Sequence, residues 1–293
     1  MDHQYSNHLK IGILDNNFQY KEKSEGDNVR VAVLADVETT GLDLNDGDEI
    51  IELGLVKFEY NPDTGDIYGI VDEFNSLQMP SREISPEAEK ITGLTLEKLV
   101  GHSIDEDEVN AFIADVDLVI AHNAAFDRPF IESQFPAFED KYWACSLNDV
   151  DWADNGYRTR SLEFLAFKFG YTYESHRASN DCRATIHLLS MFLEDSEMTV
   201  MANLLSNARK EKHLVMAIKT AYPAKDALKA RDYKWDGDQG FWYIYKESQK
   251  AVDVEIEWLN SSIYVQAKFK PETIPVNVVN GKTKYSKREK IIN

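Results

Sequence analysis

The chain has 293 residues, 51 Asp+Glu against 32 Lys+Arg, and a formal net charge of −19. A composition of 43% apolar and 28% charged residues excludes global disorder and a collagen-like repeat, and the length suits about two soluble domains. Two cysteines, Cys145 and Cys182, are too few for a secreted disulfide framework or a Cys-rich zinc site.

Met1 to Lys10 lacks the basic-then-apolar pattern of a signal peptide, and no run approaches the ~18 apolar residues of a membrane helix. A cytoplasmic chain with no membrane partner is expected. Residues 1–28 are polar and read as an N-terminal extension. Val31-Ala-Val-Leu-Ala35 predicts a buried strand that delivers Asp36-Val-Glu38 at its end. Ile50 to Phe58 and Ile67 to Phe74, joined by the turn residues Asn61-Pro-Asp-Thr-Gly65, complete an antiparallel meander. Asp43 to Glu49 resembles a calcium loop, but its glycine falls one position early for an EF-hand, so the segment reads as a turn. Ser85-Pro86 starts a helix to Ile91, and a second helix follows from Ile104 to Ala114. Leu118 to Ala121 reads as a short strand, Phe126 to Gln134 as a helix with Pro129 in its first turn, and Ser161 to Phe169 as another helix. In Asp181 to Leu193 the residues Cys182, Ile186, Leu189 and Leu193 mark one apolar helix face. Asp195 to Asn207 reads as a polar connection.

Asp36 and Glu38, two apart on a strand, project from the same sheet face. Like charges this close are costly unless a cation lies between them. Taken alone, an Asp-x-Glu pair is commonly solvated surface, so its context decides. His122-Asn-Ala-Ala-Phe-Asp127 follows a strand and opens a helix, where the N-terminal dipole favours an ionised Asp; a simple N-cap is the plain alternative. His176-Arg-Ala-Ser-Asn-Asp181 places a His in a loop and an Asp at a helix start, with a surface His and another cap as the alternative.

In this order and these contexts, the three motifs resemble the DnaQ-like 3′ to 5′ exonucleases of the DEDD group, His-containing (DEDDh) branch, and are similar to the DNA polymerase III epsilon exonuclease domain. The resemblance covers about Val31 to Leu193 and takes in Thr39-Thr-Gly41, Ile91-Thr-Gly-Leu-Thr95, Asn148-Asp-Val-Asp-Trp152, Leu162 and Leu165. It implies an α/β fold, a ribonuclease-H-like mixed sheet flanked by helices. It further implies that Asp36, Glu38, Asp127 and Asp181 hold two divalent ions and that His176 is the general base. Oxygen ligands without Cys or clustered His favour Mg²⁺ or Mn²⁺ over zinc. The family also places Thr39, Thr40, Thr92, Gly93 and Leu94 beside the terminal nucleotide, although turn and cap chemistry would use the same residues. His122 and Asn123 are expected to orient Asp127, and stand with the substrate-side residues. The implied activity is phosphodiester hydrolysis at nucleic-acid 3′ ends, single-stranded DNA ahead of RNA, releasing 5′-mononucleotides. An exoribonuclease or oligoribonuclease is the nearest alternative; a polymerase-associated or nucleic-acid-binding subunit, with a polymerase or repair protein as partner, is the other.

The expected organisation is an extension over 1–28, the exonuclease domain over 29–196, a linker over 197–210, a small α+β domain over 211–262 and a basic tail over 263–293. Charge divides accordingly: residues 1–208 carry 15 Lys+Arg and 40 Asp+Glu, a net of −25, while residues 209–293 carry 17 and 11, a net of +6. In the second part Leu214 to Ala217 reads as a strand, Ala224 to Ala230 as a helix, Phe241 to Tyr245 as an aromatic strand and Val252 to Leu259 as a helix. Basic and aromatic residues interleave from Ala224 to Tyr245, as on a single-strand binding patch, whereas Trp235 and Trp242 also suit the core of so small a module. Residues 221–259 weakly resemble a module appended to some bacterial DNA-handling proteins. Gly281 to Asn293 reads as a mobile basic terminus.

Overall fold

A computed structural model describes residues 12–14, 18–194, 196–265 and 271–290. The chain divides into two units, Met1–Ala208 and Arg209–Asn293.

In the first unit, a two-residue strand β1 (Gly12–Ile13) precedes β2 (Arg30–Thr39), β3 (Ile50–Tyr60) and β4 (Ile67–Leu77). The last three pair antiparallel as the meander expects. β3 reads Ile-Ile-Glu-Leu-Gly-Leu-Val-Lys-Phe-Glu-Tyr and is buried on both faces, so it lies inside the sheet with cover on each side. β2 runs past Ala35 to Thr39, which places Asp36 and Glu38 within the paired strand, opposite Gly54 and Glu52.

Helices α1 (Pro86–Thr92), α2 (Leu96–Leu99) and α3 (Glu106–Phe112) follow. Ser85 Oγ caps α1 and Gly93, at φ 67°, ends it. The strand β5 (Leu118–Ala121) leads into α4 (Ala124–Gln134), and β6 (Tyr142–Cys145) returns beside β5. Then come α5 (Leu162–Lys168), β7 (Tyr171–Thr172), α6 (Ala178–Ser190) and α7 (Val200–Ala208). The main sheet has the order β4-β3-β2-β5-β6, with β5 and β6 parallel to β2. This mixed sheet between helices is the ribonuclease-H-like arrangement.

Three differences from the sequence reading have clear causes. β6 is four residues long, too short to show a period, and is defined by its pairing with β5. α6 begins one turn earlier than Asp181, so Asp181 lies in its first turn and Arg177 is the N-cap. The stretch read as a linker holds α7, whose Val200, Met201, Leu204, Leu205 and Ala208 are buried in the same core as Leu34, Phe58, Ile186 and Leu189. Gly65, at φ 75°, lets the β3–β4 turn seat against α7: a Cβ there would meet the Ala202 nitrogen at 2.5 Å.

In the second unit, β8 (Lys212–Ala217), α8 (Lys225–Ala230), β9 (Lys234–Asp236), β10 (Phe241–Lys246), α9 (Gln249–Trp258) and β11 (Val276–Val279) build an antiparallel sheet of order β11-β8-β10-β9. One face carries Val215, Ala217, Trp242, Leu228 and Val252; the other carries Leu214, Met216, Phe241 and Val279. Trp242 is core, but Trp235 on the edge strand is 52% exposed, which corrects its assignment to the core. The region read as a basic tail is also corrected: β11 pairs with β8, Lys290 Nζ donates to Asp236 Oδ2 at 2.8 Å, and Tyr245 hydrogen-bonds Glu289. The first and last residues of the chain, including 291–293 of the expected mobile terminus, lie outside the described residues. Among the described residues no helix is long and apolar enough to cross a membrane.

Gly54 governs how closely α6 approaches the sheet, since a Cβ at this position would fall 2.5 Å from the Ala178 carbonyl carbon. Gly54→Ala is expected to destabilise the fold by about 1–3 kcal/mol, as overpacking of a filled interior does. Urea denaturation beside the wild type measures this as a lower midpoint.

Candidate active site

β2 presents Asp36 and Glu38 on one face, and α6, packed close over Gly54, brings Asp181 to the same place. One oxygen from each of Asp36, Glu38 and Asp181 lies within 4.8 Å of the others. Asp127, in the first turn of α4, is buried beside them. β5 pairs with β2 only as far as Leu34, so the Val37 N–H needs another partner; Asp127 Oδ1 accepts it at 3.3 Å. That bond ties α4 to the strand carrying the other two acids. Asp181 is held at both oxygens: the Tyr173 hydroxyl donates to Oδ1 at 2.8 Å and the Arg177 N–H to Oδ2 at 3.2 Å.

The carboxyl groups pay for their convergence electrostatically. Burial pushes Asp36 well above the ordinary carboxylate range, and the charges of Asp127, Asp181 and Glu38 push it further. Burial, then Asp181 and Glu52, raise Glu38 to about 8. Burial raises Asp127 to about 7 against the opposing N–H bonds of Val37, Asp127 itself and Asn123. Asp181 is raised by burial, with Tyr173, Arg177 and His176 pulling it back. A cluster of oxygen donors, each disfavoured as an anion by burial and three of them also by neighbouring carboxylates, fits a divalent cation. The donor set contains no thiolate, which favours a hard ion of the Mg²⁺ or Mn²⁺ type.

His176 is exposed on the turn before α6, with its Nε2 3.6 Å from Glu163 Oε1. Several expected substrate-side residues have local roles instead. Thr39 Oγ1 donates to the Gly41 carbonyl at 2.5 Å, and Thr40 Oγ1 donates to Asp48 Oδ1 at 2.9 Å while accepting from the Glu49 N–H. The Thr92 hydroxyl donates to the Ala88 carbonyl at 2.9 Å and accepts from the Leu94 N–H, Gly93 ends α1, and Leu94 packs with Ile51, Ile84 and Leu99. His122 does not orient Asp127: its ring nitrogens lie 2.8 Å from Ser146 Oγ and 2.9 Å from the Arg160 carbonyl oxygen, and burial lowers its pKa to about 4. The neutral ring ties β5 to the loop before α5. Asn123 supports Asp127 through its backbone N–H, not its exposed side chain.

Glu52, Tyr173 and Arg177 were not singled out from sequence. A charge within the apolar run of β3 is the signal that marks Glu52, and Arg177 adjoins His176; nothing local marks Tyr173.

Residues 33–189 match the RNase T family model, described as exonuclease. The chain belongs to the RNase T exonuclease family. The chain is 33% identical over 178 residues to a PolC-type DNA polymerase III of Thermotoga maritima, a match covering 55% of this chain and 12% of that protein. It is 30% identical over 167 residues to the DNA polymerase III subunit epsilon of Treponema pallidum, covering 54% and 74%. The match thus spans about an eighth of the length of the PolC-type relatives. Among solved structures, Exonuclease X in complex with 5′ overhanging duplex DNA is 25% identical, with a TM-score of 0.43 and coverage of 59% of this chain and 99% of that one.

Glu38 makes metal-free stability fall with pH. Below its ordinary value of 4.5 the folded and unfolded chains both bind its proton; between 4.5 and about 8 only the folded chain does, so stability is lost as pH rises through that window. Thermal melts in EDTA are expected to show the decline, and Asp181→Asn, which removes the largest charge repelling Glu38, is expected to raise the metal-free melting temperature at its upper end. Added Mn²⁺ reverses the order, stabilising the wild type more than the variant.

Proposed function

We propose that this RNase T-family exonuclease hydrolyses phosphodiester bonds in the 3′ to 5′ direction at nucleic-acid 3′ ends, releasing 5′-mononucleotides. The observation that carries the reading is the convergence of Asp36, Glu38 and Asp181, with Asp127 tied in behind them and His176 at the rim. These four acids would hold two Mg²⁺ or Mn²⁺ ions, whose positive charge would stabilise the oxygens around the scissile phosphorus. His176 accepts the proton of the attacking water, and its Nε2 lies 3.6 Å from Glu163 Oε1. Water oxygen bonds to phosphorus as the bond to the 3′ oxygen breaks, and that oxygen takes a proton from solvent. Tyr173 and the Arg177 N–H keep Asp181 directed at the site throughout.

Single-stranded DNA is the favoured substrate, with RNA second. The similarity to DNA polymerase III proteins supports DNA, and it also favours a second reading in which the nuclease works in association with a polymerase. The acidity of residues 1–208, a net of −25, repels phosphate and makes substrate binding dependent on cations. Exposed Trp235 in the basic second unit offers a stacking surface for single strands. A cytoplasmic location suits this function.

A time course on 5′-labelled single-stranded DNA and RNA of one sequence tests the reading. A ladder shortening from the 3′ end is expected with Mg²⁺ or Mn²⁺, faster on DNA, and lost with EDTA or in Asp36→Ala. His176→Ala is expected to lower kcat by about 10²- to 10⁴-fold, the usual contribution of a positioned base. Activity retained in purified Asp36→Ala would overturn the assignment, and co-elution with a DNA polymerase subunit on gel filtration would support the polymerase-associated role.

A further inference from the structure

Glu52 is fully buried near the start of β3 and lies directly across from Glu38. Opposed like charges on neighbouring strands repel, and a buried carboxylate beside four other acids needs a partner. The Arg177 guanidinium supplies it. Nε donates to both Glu52 oxygens at 3.3 and 3.2 Å, and Nη2 donates to Oε1 at 3.0 Å. Asn75 Nδ2, on β4, adds a bond to Oε1 at 3.0 Å. Glu52 is therefore engaged as an anchor, and it is not among the acids whose oxygens meet at the cluster.

The other end of Arg177 matters as much. Its backbone N–H donates to Asp181 Oδ2, and it caps the helix that carries Asp181. The residue before it, His176, has φ 65°, a left-handed conformation that is unfavourable for a residue with a Cβ and persists only where surrounding contacts enforce it. The Arg177 side chain is bolted to the sheet, its backbone holds a candidate ligand, and its predecessor is the candidate base in a strained conformation.

We propose that Glu52 is a positioning residue: through Arg177 it fixes the turn at 176–181, so that Asp181 and His176 are presented to the site together. The inference rests on the exonuclease reading above and assigns to a residue outside the ligand set the setting of both ligand and base. A planar guanidinium gripping a carboxylate at two points fixes direction as well as charge, which an ammonium cannot reproduce.

The test uses the full chain as wild type, Glu52→Gln and Arg177→Lys. Three quantities are measured: kcat and KM on a 5′-labelled single-stranded oligonucleotide, Mn²⁺ affinity by calorimetry without substrate, and thermal unfolding. Glu52→Gln is expected to lower kcat and Mn²⁺ affinity by about 10- to 100-fold, the usual cost of losing a residue that orients a metal ligand, with KM little changed. Arg177→Lys alters a side chain that is 42% exposed, so the fold tolerates it, and it keeps the charge while losing the fork. It is expected to show the same fall in kcat with cooperative unfolding. Wild-type kcat and Mn²⁺ affinity in folded Glu52→Gln or in Arg177→Lys would overturn the proposal while leaving the exonuclease reading intact. A wild-type chain that neither cleaves nor binds Mn²⁺ would overturn the exonuclease reading, and this role with it.

Discussion

Mutual repulsion among Asp36, Glu38, Asp127 and Asp181 is the constraint around which the first unit is built. Burial raises each acid above its ordinary pKa, and neighbouring carboxylates add to this at Asp36, Glu38 and Asp127, so bringing them together opposes folding until a cation is present. The opposing stabilisation comes from a continuous apolar core beneath: β3 buried on both faces, and α6 and α7 packed against it. Attachments at the site are correspondingly specific. Asp127 accepts the one strand N–H that the end of β5 leaves over, and Gly54 admits α6 to contact distance. A side chain at Gly54 would collide with the backbone at the start of α6, the helix that carries Asp181.

Much of this was legible because chemistry and periodicity coincide. Apolar runs located the strands carrying Asp36 and leading to Asp127, and Ser85-Pro86 located α1. The acids could be grouped because each sits where an element begins or where a strand approaches its end. What escaped was set by tertiary pairing. The β6 tetrapeptide has no period of its own, and α7 was obscured by the polar residues before it although its apolar positions follow a helical repeat. Thr40, Thr92 and His122 lie beside the recognised motifs, yet their polar atoms are engaged in turn, cap and loop bonds. Adjacency in sequence told where the site is and not which side chains face it. Tyr173 shows the converse, a residue with no motif that reaches a site oxygen.

The second unit illustrates why composition alone misplaces a terminus. Residues 281–290 are rich in Lys, which reads as a solvated end, but Lys290 is paired with Asp236 and its Nζ lies 4.4 Å from the Tyr243 ring centroid. Tyr243 in turn packs against the cluster of Leu214, Met216, Phe241 and Val279, so Lys290 lies over the edge of that apolar face. The net of +6 in residues 209–293 thus includes a lysine held within the fold.

The short strand β1 pairs in parallel with Tyr171 and Thr172, immediately before Tyr173 and the turn of His176 and Arg177. Near it, Phe18 packs edge-on against His187 of α6. A segment that contributes no chemical group therefore buttresses the loop on which two of the five motif residues depend, by a contact between distant parts of the chain. Such a contact is formed against a large loop-closure entropy. Proteolytic nicking or a fused tag near residue 12 would then be felt as altered geometry at the turn of 173–177, although the strand lies outside the family motifs.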